Sequence, residues 1–319
     1  MKAETYTEAL QHAWRMTWHH KRLWALGLLA AFIGSAGAFE FVAKFYRTVL
    51  GERSEVLSDS LKAAVQIDVT TAGWVVAAVV VLVTLAVFAL LIAIFVSAQG
   101  GLVYAVEQAE TQHTLNIAEL FHHGRARLWR LFAFNFLKAI LVVALLYLSG
   151  FMARSLRVPD APWWYDALFL LGSIVIIVAG LTVSLLAIYA VCYVSLHNKS
   201  LKAAFLDAWA LFVDHWLVSL EMAVILFVLG IGVSLLAVAG LLLLATPVFA
   251  GLVTSIIVGK ASIVVFGIAV GFTLLLLWVL WLAAVYTTFA MSAWTVLFIQ
   301  MSRHGFSSRM LHWIKSHLK

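Results

Sequence analysis

Val75-Val-Ala-Ala-Val-Val-Val-Leu-Val-Thr-Leu-Ala-Val-Phe-Ala-Leu-Leu-Ile-Ala-Ile-Phe95 is the stretch that decides the fold class. It holds no charged residue and no proline, and Thr84 is its only polar side chain. A helix needs about 20 such residues to cross the hydrocarbon core of a bilayer. A transmembrane β-strand would use about ten residues and alternate in polarity, which this run does not. An unbroken helix satisfies its backbone amides internally, as lipid demands. The α reading follows.

Working outward, the same pattern recurs. Spans are expected at Leu23–Phe39, Ala72–Ser97, Leu131–Gly150, Ala167–Leu196, Leu217–Ala245 and Ile263–Gln300. The first is short and is expected to stay with the mature chain, since an arm with helical pattern precedes it. The last three are longer than a bilayer requires, so they must tilt, kink or run on as interfacial helix. Composition agrees: 64% of the 319 residues are apolar and 11% charged, against about half and a quarter in soluble domains. Surface-to-volume scaling leaves a soluble fold no way to bury that excess. The single cysteine, Cys192, forms no intrachain disulfide. The chain is expected to be one all-α integral membrane domain over residues 1–319, with six transmembrane helices.

Lys and Arg set the direction. One side collects Lys2, Arg15, Lys21 and Arg22, then Arg125, Arg127 and Arg130, then Lys199 and Lys202, then Arg303, Arg309, Lys315 and Lys319. The other side has only Lys44, Arg47, Arg53, Lys62, Arg154, Arg157 and Lys260. The richer side is cytoplasmic under the positive-inside rule, so both termini are expected there. The net charge of +6 then suits anionic lipid headgroups at the cytoplasmic face. Nucleic acid is not expected as a partner, because no compact basic domain is present to hold it.

The cytoplasmic connections share a pattern. Thr5 and Glu8 are spaced as a capping box, and Leu10, Trp14 and Trp18 then form one apolar stripe. Ile117, Leu120 and Phe121 repeat it ahead of Gly124 and the basic run to Trp129. Leu201, Phe205, Trp209 and Phe212 repeat it again, with Ser200 placed as an N-cap. Thr5–His20, Thr114–His123 and Ser200–Phe212 are therefore expected as amphipathic elbow helices in the interface, each turning into a span. Trp14, Trp18, Phe121, Trp129, Trp209 and Trp216 are the expected interfacial anchors. The unit of elbow, span and return span occurs three times, over 5–97, 114–196 and 200–300. These would be parallel repeats, followed by a basic amphipathic cytoplasmic tail at 301–319. Gly100-Gly101 reads as a flexible joint after the second span.

Leu201-Lys-Ala-Ala-Phe-Leu-Asp-Ala-Trp-Ala-Leu-Phe212, with Asp214-His215-Trp216 and the apolar helix behind it, resembles the elbow of a bacterial group. That group comprises the polytopic membrane domain attached to some glycerophosphodiester phosphodiesterases, and related uncharacterised membrane families. Ala9-Leu-Gln-His-Ala-Trp14 and Lys21-Arg-Leu-Trp-Ala-Leu-Gly27 have the same character. The resemblance spreads over most of the chain as a pattern of degenerate positions. It implies this fold and a bacterial inner (plasma) membrane. It brings no catalytic residue, because the phosphodiesterase barrel domain has no counterpart here.

Chemistry is sparse. The eleven histidines all fall in the cytoplasmic connections, where a pH sensor or metal site would be the functional reading. The adjacent pairs His19-His20 and His122-His123 point to different helix faces, and neither HExxH nor a cysteine partner accompanies them, so no metal site is expected. GxSxG, P-loop and Gly-rich nucleotide patterns are absent. Asp160 and Asp166 have no acidic companions at fixed spacing. No cofactor and no catalytic residue is expected, and the protein is read as a non-enzyme.

Two ionisable residues lie inside spans. Lys138 is about 12 Å past Arg130 and Glu221 about 10 Å past Asp214 at the helical rise. They share a depth, and an unpaired charge there costs roughly 3 kcal/mol on insertion scales. Contact between Lys138 and Glu221, direct or through water, is the expected intramembrane polar pair. Two functions compete. One is a scaffold or accessory subunit that binds lipid through its elbows and a partner protein, or a second copy, through its spans. The other is a small-molecule or lipid transporter with a cavity among the six spans. Two intramembrane charges are few for a transport pathway, which favours the scaffold.

Overall fold

The computed structural model describes residues 6–33, 71–109, 116–153 and 163–304. Every regular element among them is an α-helix: α1 (Tyr6–His19), α2 (Leu23–Ala31), α3 (Thr71–Ala109), α4 (Ile117–Ala126), α5 (Leu128–Ala153), α6 (Trp163–His197), α7 (Leu201–Asp214), α8 (Trp216–Leu244), α9 (Thr246–Val258) and α10 (Ala261–His304). Five stretches are long and apolar enough to cross a membrane: Trp74–Ala109, Leu128–Met152, Trp164–His197, Trp216–Val258 and Ser262–Ser302. The protein is an all-α, multi-pass membrane protein. Of the expected span Leu23–Phe39, the described part is α2 and the turn after it. Nine residues reach about 14 Å, too short to cross alone, and the remainder lies outside the described residues.

One expectation needs correction. Gly100-Gly101 is not a joint, because α3 runs through it without a break to Ala109. The glycines are there for packing: a Cβ on Gly101 would lie 2.5 Å from the Leu120 carbonyl oxygen of α4. The connection after residue 245 is helical. Pro247 opens a new helix, α9, where its missing N–H is no loss. Gly259, at φ 73°, closes α9 in the left-handed region that glycine adopts without strain.

Asn116 caps α4, its side chain accepting from the Ala118 amide at 3.1 Å. Ser200 takes the N-cap position of α7 without a side-chain cap bond. Thr5 and Thr114 lie outside the described residues, as do 34–70 and 305–319. One non-helical residue separates each of two short helices from the long helix behind it, Arg127 before α5 and His215 before α8.

The core sits at one end, where the short helices are. There α3, α6 and α10 pack on one another, and Leu102, Tyr189, Trp294 and Phe298 are fully buried. The short helices close the ring around them: α4 lies on α3, α7 on α6, and α1 on α10. Each turns small residues inward, Ala9 and Ala13 on α1, Gly124 on α4, and Ala204 and Ala208 on α7, all buried. The expected bulky stripes are split: Trp14, Leu201, Phe205 and Trp209 are exposed, Leu120 is fully buried, and Leu10, Ile117, Phe121 and Phe212 pack against the core.

Away from that end, the long helices pair off as α5 with α6 and α8–α9 with α10. Close approach follows from glycine: Gly251 of α9 meets Gly267 of α10, a Cβ on the first lying 3.2 Å from the Cα of the second. Trp278 stacks over Gly240 in the same way. On α3, every residue from Trp74 to Ile92 is exposed. Leaving a Leu, Val or Phe in water rather than burying it forfeits about 1.5–3 kcal/mol each. Lipid is the solvent that removes that penalty. At 39 and 44 residues, α3 and α10 extend about 58 and 66 Å against a hydrocarbon core of about 30 Å. Each is about twice the length needed to cross that core upright.

Candidate functional site

The packed end is tied together by polar contacts between helices. Gln99 of α3, 3% exposed, accepts from Asn135 of α5 at 2.7 Å. Ser195 of α6 donates to the Gly100 carbonyl at 2.8 Å. The Tyr189 and Ser219 hydroxyls join α6 to α8 at 2.7 Å, and Tyr286 donates to the Leu226 carbonyl at 2.9 Å. Arg130 donates to the Asn198 and Lys199 carbonyls at 2.9 and 3.1 Å and to the Asn198 side chain at 2.7 Å. That holds the α6–α7 turn, whose Asn198 has φ 53°. Lys199 pairs with Asp207 at 2.6 Å and sits 4.5 Å from the Tyr193 ring centre. Buried polar groups cost little when partnered, so these contacts fix the helix register.

His123 sits at the centre of this network. Its ring stacks on Tyr104 of α3 with centres 3.5 Å apart. Nε2 is 3.0 Å from the Ser195 carbonyl, which can only accept, so Nε2 donates. Burial holds the ring below its ordinary 6.5. The Arg127 cation pushes in the same direction, while the Ser195 carbonyl and Glu119 oppose it.

A second site opens on the flank. A chamber of about 770 Å³ lies between α1, α8 and α10, within the range typical of small-molecule pockets. Trp14, Trp18, Trp278, Trp281, Tyr286 and Phe289 form its aromatic wall. The rings run on from one another: Trp14–Trp18 at 5.5 Å, Trp18–Trp24 at 5.4 Å, Trp24–Trp281 at 6.2 Å and Trp278–Trp281 at 5.4 Å. Trp14 also meets Phe289 at 5.9 Å. Edge-to-face contacts of this kind hold aromatic side chains in place. Two backbone bonds fix the orientation, Trp24 donating to the Thr17 carbonyl at 2.9 Å and Trp278 to the Leu236 carbonyl at 3.2 Å. Leu229, Val233 and Leu236 continue the wall along α8. The polar lining is Gln11, Arg15 and His19, all on α1.

The expected anchors are distributed as follows. Trp129, Trp14, Trp216 and Trp209 are 78, 55, 55 and 49% exposed, and Trp18 and Phe121 are half-buried. Lys138 is half-buried on α5, which packs on α6 and α3. Glu221 is half-buried on α8, which packs on α10 and α7. Among the described residues, no three His, Cys, Asp or Glu side chains gather around a shared metal position. Sequence reasoning passed over Gln99 as the partner of Asn135, and over the chamber. An amide in each of two apolar spans was the available signal for the first. Nothing in the sequence connects Trp14 with Trp278, 264 residues on.

No protein-family model matches the chain, and neither a curated protein nor a solved structure shows significant similarity to it.

Proposed function

We propose that this protein is a non-enzymatic membrane scaffold or accessory subunit that binds lipid at one face and protein partners along its spans. The observation that carries this is the filled convergence of α3, α6 and α10, where Tyr189, Cys192, Trp294 and Phe298 are almost entirely buried. A permease needs a water path through such a convergence. The apolar faces left exposed on α3, α5 and α8 suit lipid or a partner helix instead.

In this reading there are six spans, the first continuing from α2, and both termini are cytoplasmic. The short helices are elbows in the cytoplasmic interface, with Trp209 of α7, Trp129 of α5 and Trp216 of α8 toward lipid headgroups. The ring of α4 on α3, α7 on α6 and α1 on α10 supports three parallel repeats, since each elbow rests on the return helix of the repeat before it. The likeness of the elbows to the bacterial phosphodiesterase-linked membrane domain supports placement in an inner membrane.

A thiol-accessibility series tests the reading. In a Cys192→Ala background, cysteine replaces Ala293, whose exposure is 0%. A small water-soluble maleimide should fail to label it in reconstituted vesicles, and labelling would establish the transporter instead. In intact cells, an impermeant reagent should reach a cysteine at position 58 but not at 308. The reverse would defeat the orientation.

A further inference from the structure

We propose that the tryptophan-walled chamber holds one anionic phospholipid, its acyl portion between α8 and α10 and its phosphate at Arg15 and His19. The inference rests on the lipid-binding reading above and assigns that binding a defined place.

Three observations converge. First, the wall is apolar along α8 and α10, and those residues continue onto helix faces that are themselves exposed. Leu229 and Leu236 are 42 and 53% exposed. The chamber therefore opens sideways to the surface that lipid covers, and a chain enters without crossing water.

Second, the polar lining is confined to one edge. Gln11, Arg15 and His19 follow one another at i, i+4 and i+8 on α1, beside the stripe of Leu10, Trp14 and Trp18 that roofs the chamber. Arg15 is exposed, and among the described residues its guanidinium has no ion-pair partner. His19 Nδ1 lies 2.9 Å from the Arg15 carbonyl and so carries the hydrogen of that bond. Nε2 is left for the rim. Lys21 and Arg22, both exposed, follow in the turn to α2. The rim is thus cationic and the interior apolar, which is the charge arrangement of an anionic amphiphile in reverse. A guanidinium is well suited to phosphate, because its planar fork donates two parallel bonds.

Third, the tryptophans are held before any ligand arrives. Trp18, Trp24 and Trp281 brace one another, so little side-chain freedom remains to be lost on binding. Such preorganisation is what lets a modest apolar contact retain a ligand.

Native mass spectrometry of the full-length chain in a non-ionic detergent provides the test, with palmitoyl-oleoyl phosphatidylglycerol and the phosphate-free palmitoyl-oleoyl glycerol as competing probes. The wild type should retain one phosphatidylglycerol, about tenfold in preference to palmitoyl-oleoyl glycerol, the size of one charge-assisted hydrogen bond. Val233→Trp fills the chamber and should abolish retention of both. Arg15→Gln should remove only the preference. Val80→Trp, on the exposed half of α3, should change nothing. Arg15 is on the surface, so its variant reports even where V233W fails to fold. Retention of phosphatidylglycerol by R15Q at the wild-type level overturns the headgroup assignment, as does equal retention of the two lipids by the wild type. Undiminished binding by a folded V233W overturns the chamber while leaving the lipid-binding reading intact. A wild type that retains neither lipid overturns both.

Discussion

Gly124→Ala separates packing from propensity at the crossing of α4 and α3. A methyl at Gly124 would collide with the Ser97 carbonyl oxygen and lie 2.8 Å from the Gly101 amide nitrogen. Both obstacles are helix backbone, and neither can swing aside. The relief available is for α4 to lift from α3 by on the order of an ångström, a gap that forfeits a quarter to a half of each dispersion contact. Leu120, fully buried beside it, loses its packing in the same movement. Overpacking of this kind costs about 1–3 kcal/mol, against about 1 kcal/mol gained by replacing a helical glycine with alanine. Gly232→Ala is the internal control, because nothing lies within 4 Å of its added Cβ. It should therefore show the propensity gain alone. Unfolding in mixed micelles of dodecyl maltoside and SDS, followed by tryptophan fluorescence, measures both. G232A should rise above wild type and G124A should fall below G232A by about 1–3 kcal/mol, the overpacking cost alone. Adding Gly101→Ala to G124A should cost less than its single effect, since the lifted helix already leaves room. A G124A variant as stable as G232A would show that α4 does not bear on α3 as described.

Three further outcomes are expected. The depressed pKa of His123 means that the unfolded chain binds the proton more readily, so stability should rise with pH from the folded-state value up to about 6.5 and level off above it. His123→Phe keeps a ring on Tyr104 and should flatten that slope; an unchanged pH profile of unfolding would remove His123 from the account. Arg130→Gln takes the guanidinium from the Asn198 turn and should cost about 1–2 kcal/mol, at the low end for charged hydrogen bonds because the site is partly exposed. Proteolysis near Asn198 should quicken with it, and an unaltered cleavage rate would count against the clamp. The charge swap tests the intramembrane pair: Lys138→Glu with Glu221→Lys should restore the folded yield that either single change lowers, as scored by size-exclusion chromatography. A double variant no better than its parents would end the pairing.

The class of the fold was open to sequence reading because hydropathy is a local property. Val75–Phe95 declares a membrane helix whatever surrounds it, since no neighbour can supply the amide partners that lipid withholds. Expected bounds such as Leu217–Ala245 and observed ones such as Trp216–Leu244 agree closely for that reason. Gly100-Gly101 misled because a glycine pair has two physical meanings, freedom of the backbone and room for a neighbour. Only the presence of α4 across it selects the second.

The bulky stripe of α1, expected as a face for the membrane interface, also meets protein, Trp14 lying against Phe289. The sequence by itself determined that Leu10, Trp14 and Trp18 share one side of a helix, because that follows from 3.6 residues per turn. Which side packs inward was decided by tertiary structure. Ala9 and Ala13 let α1 approach α10 closely, and bulky residues at those positions would hold it away. That approach turns the tryptophans toward Trp278 and Trp281 and encloses the chamber. Contacts between residues so distant in the chain depend on how several helices settle together, and no local pattern encodes that.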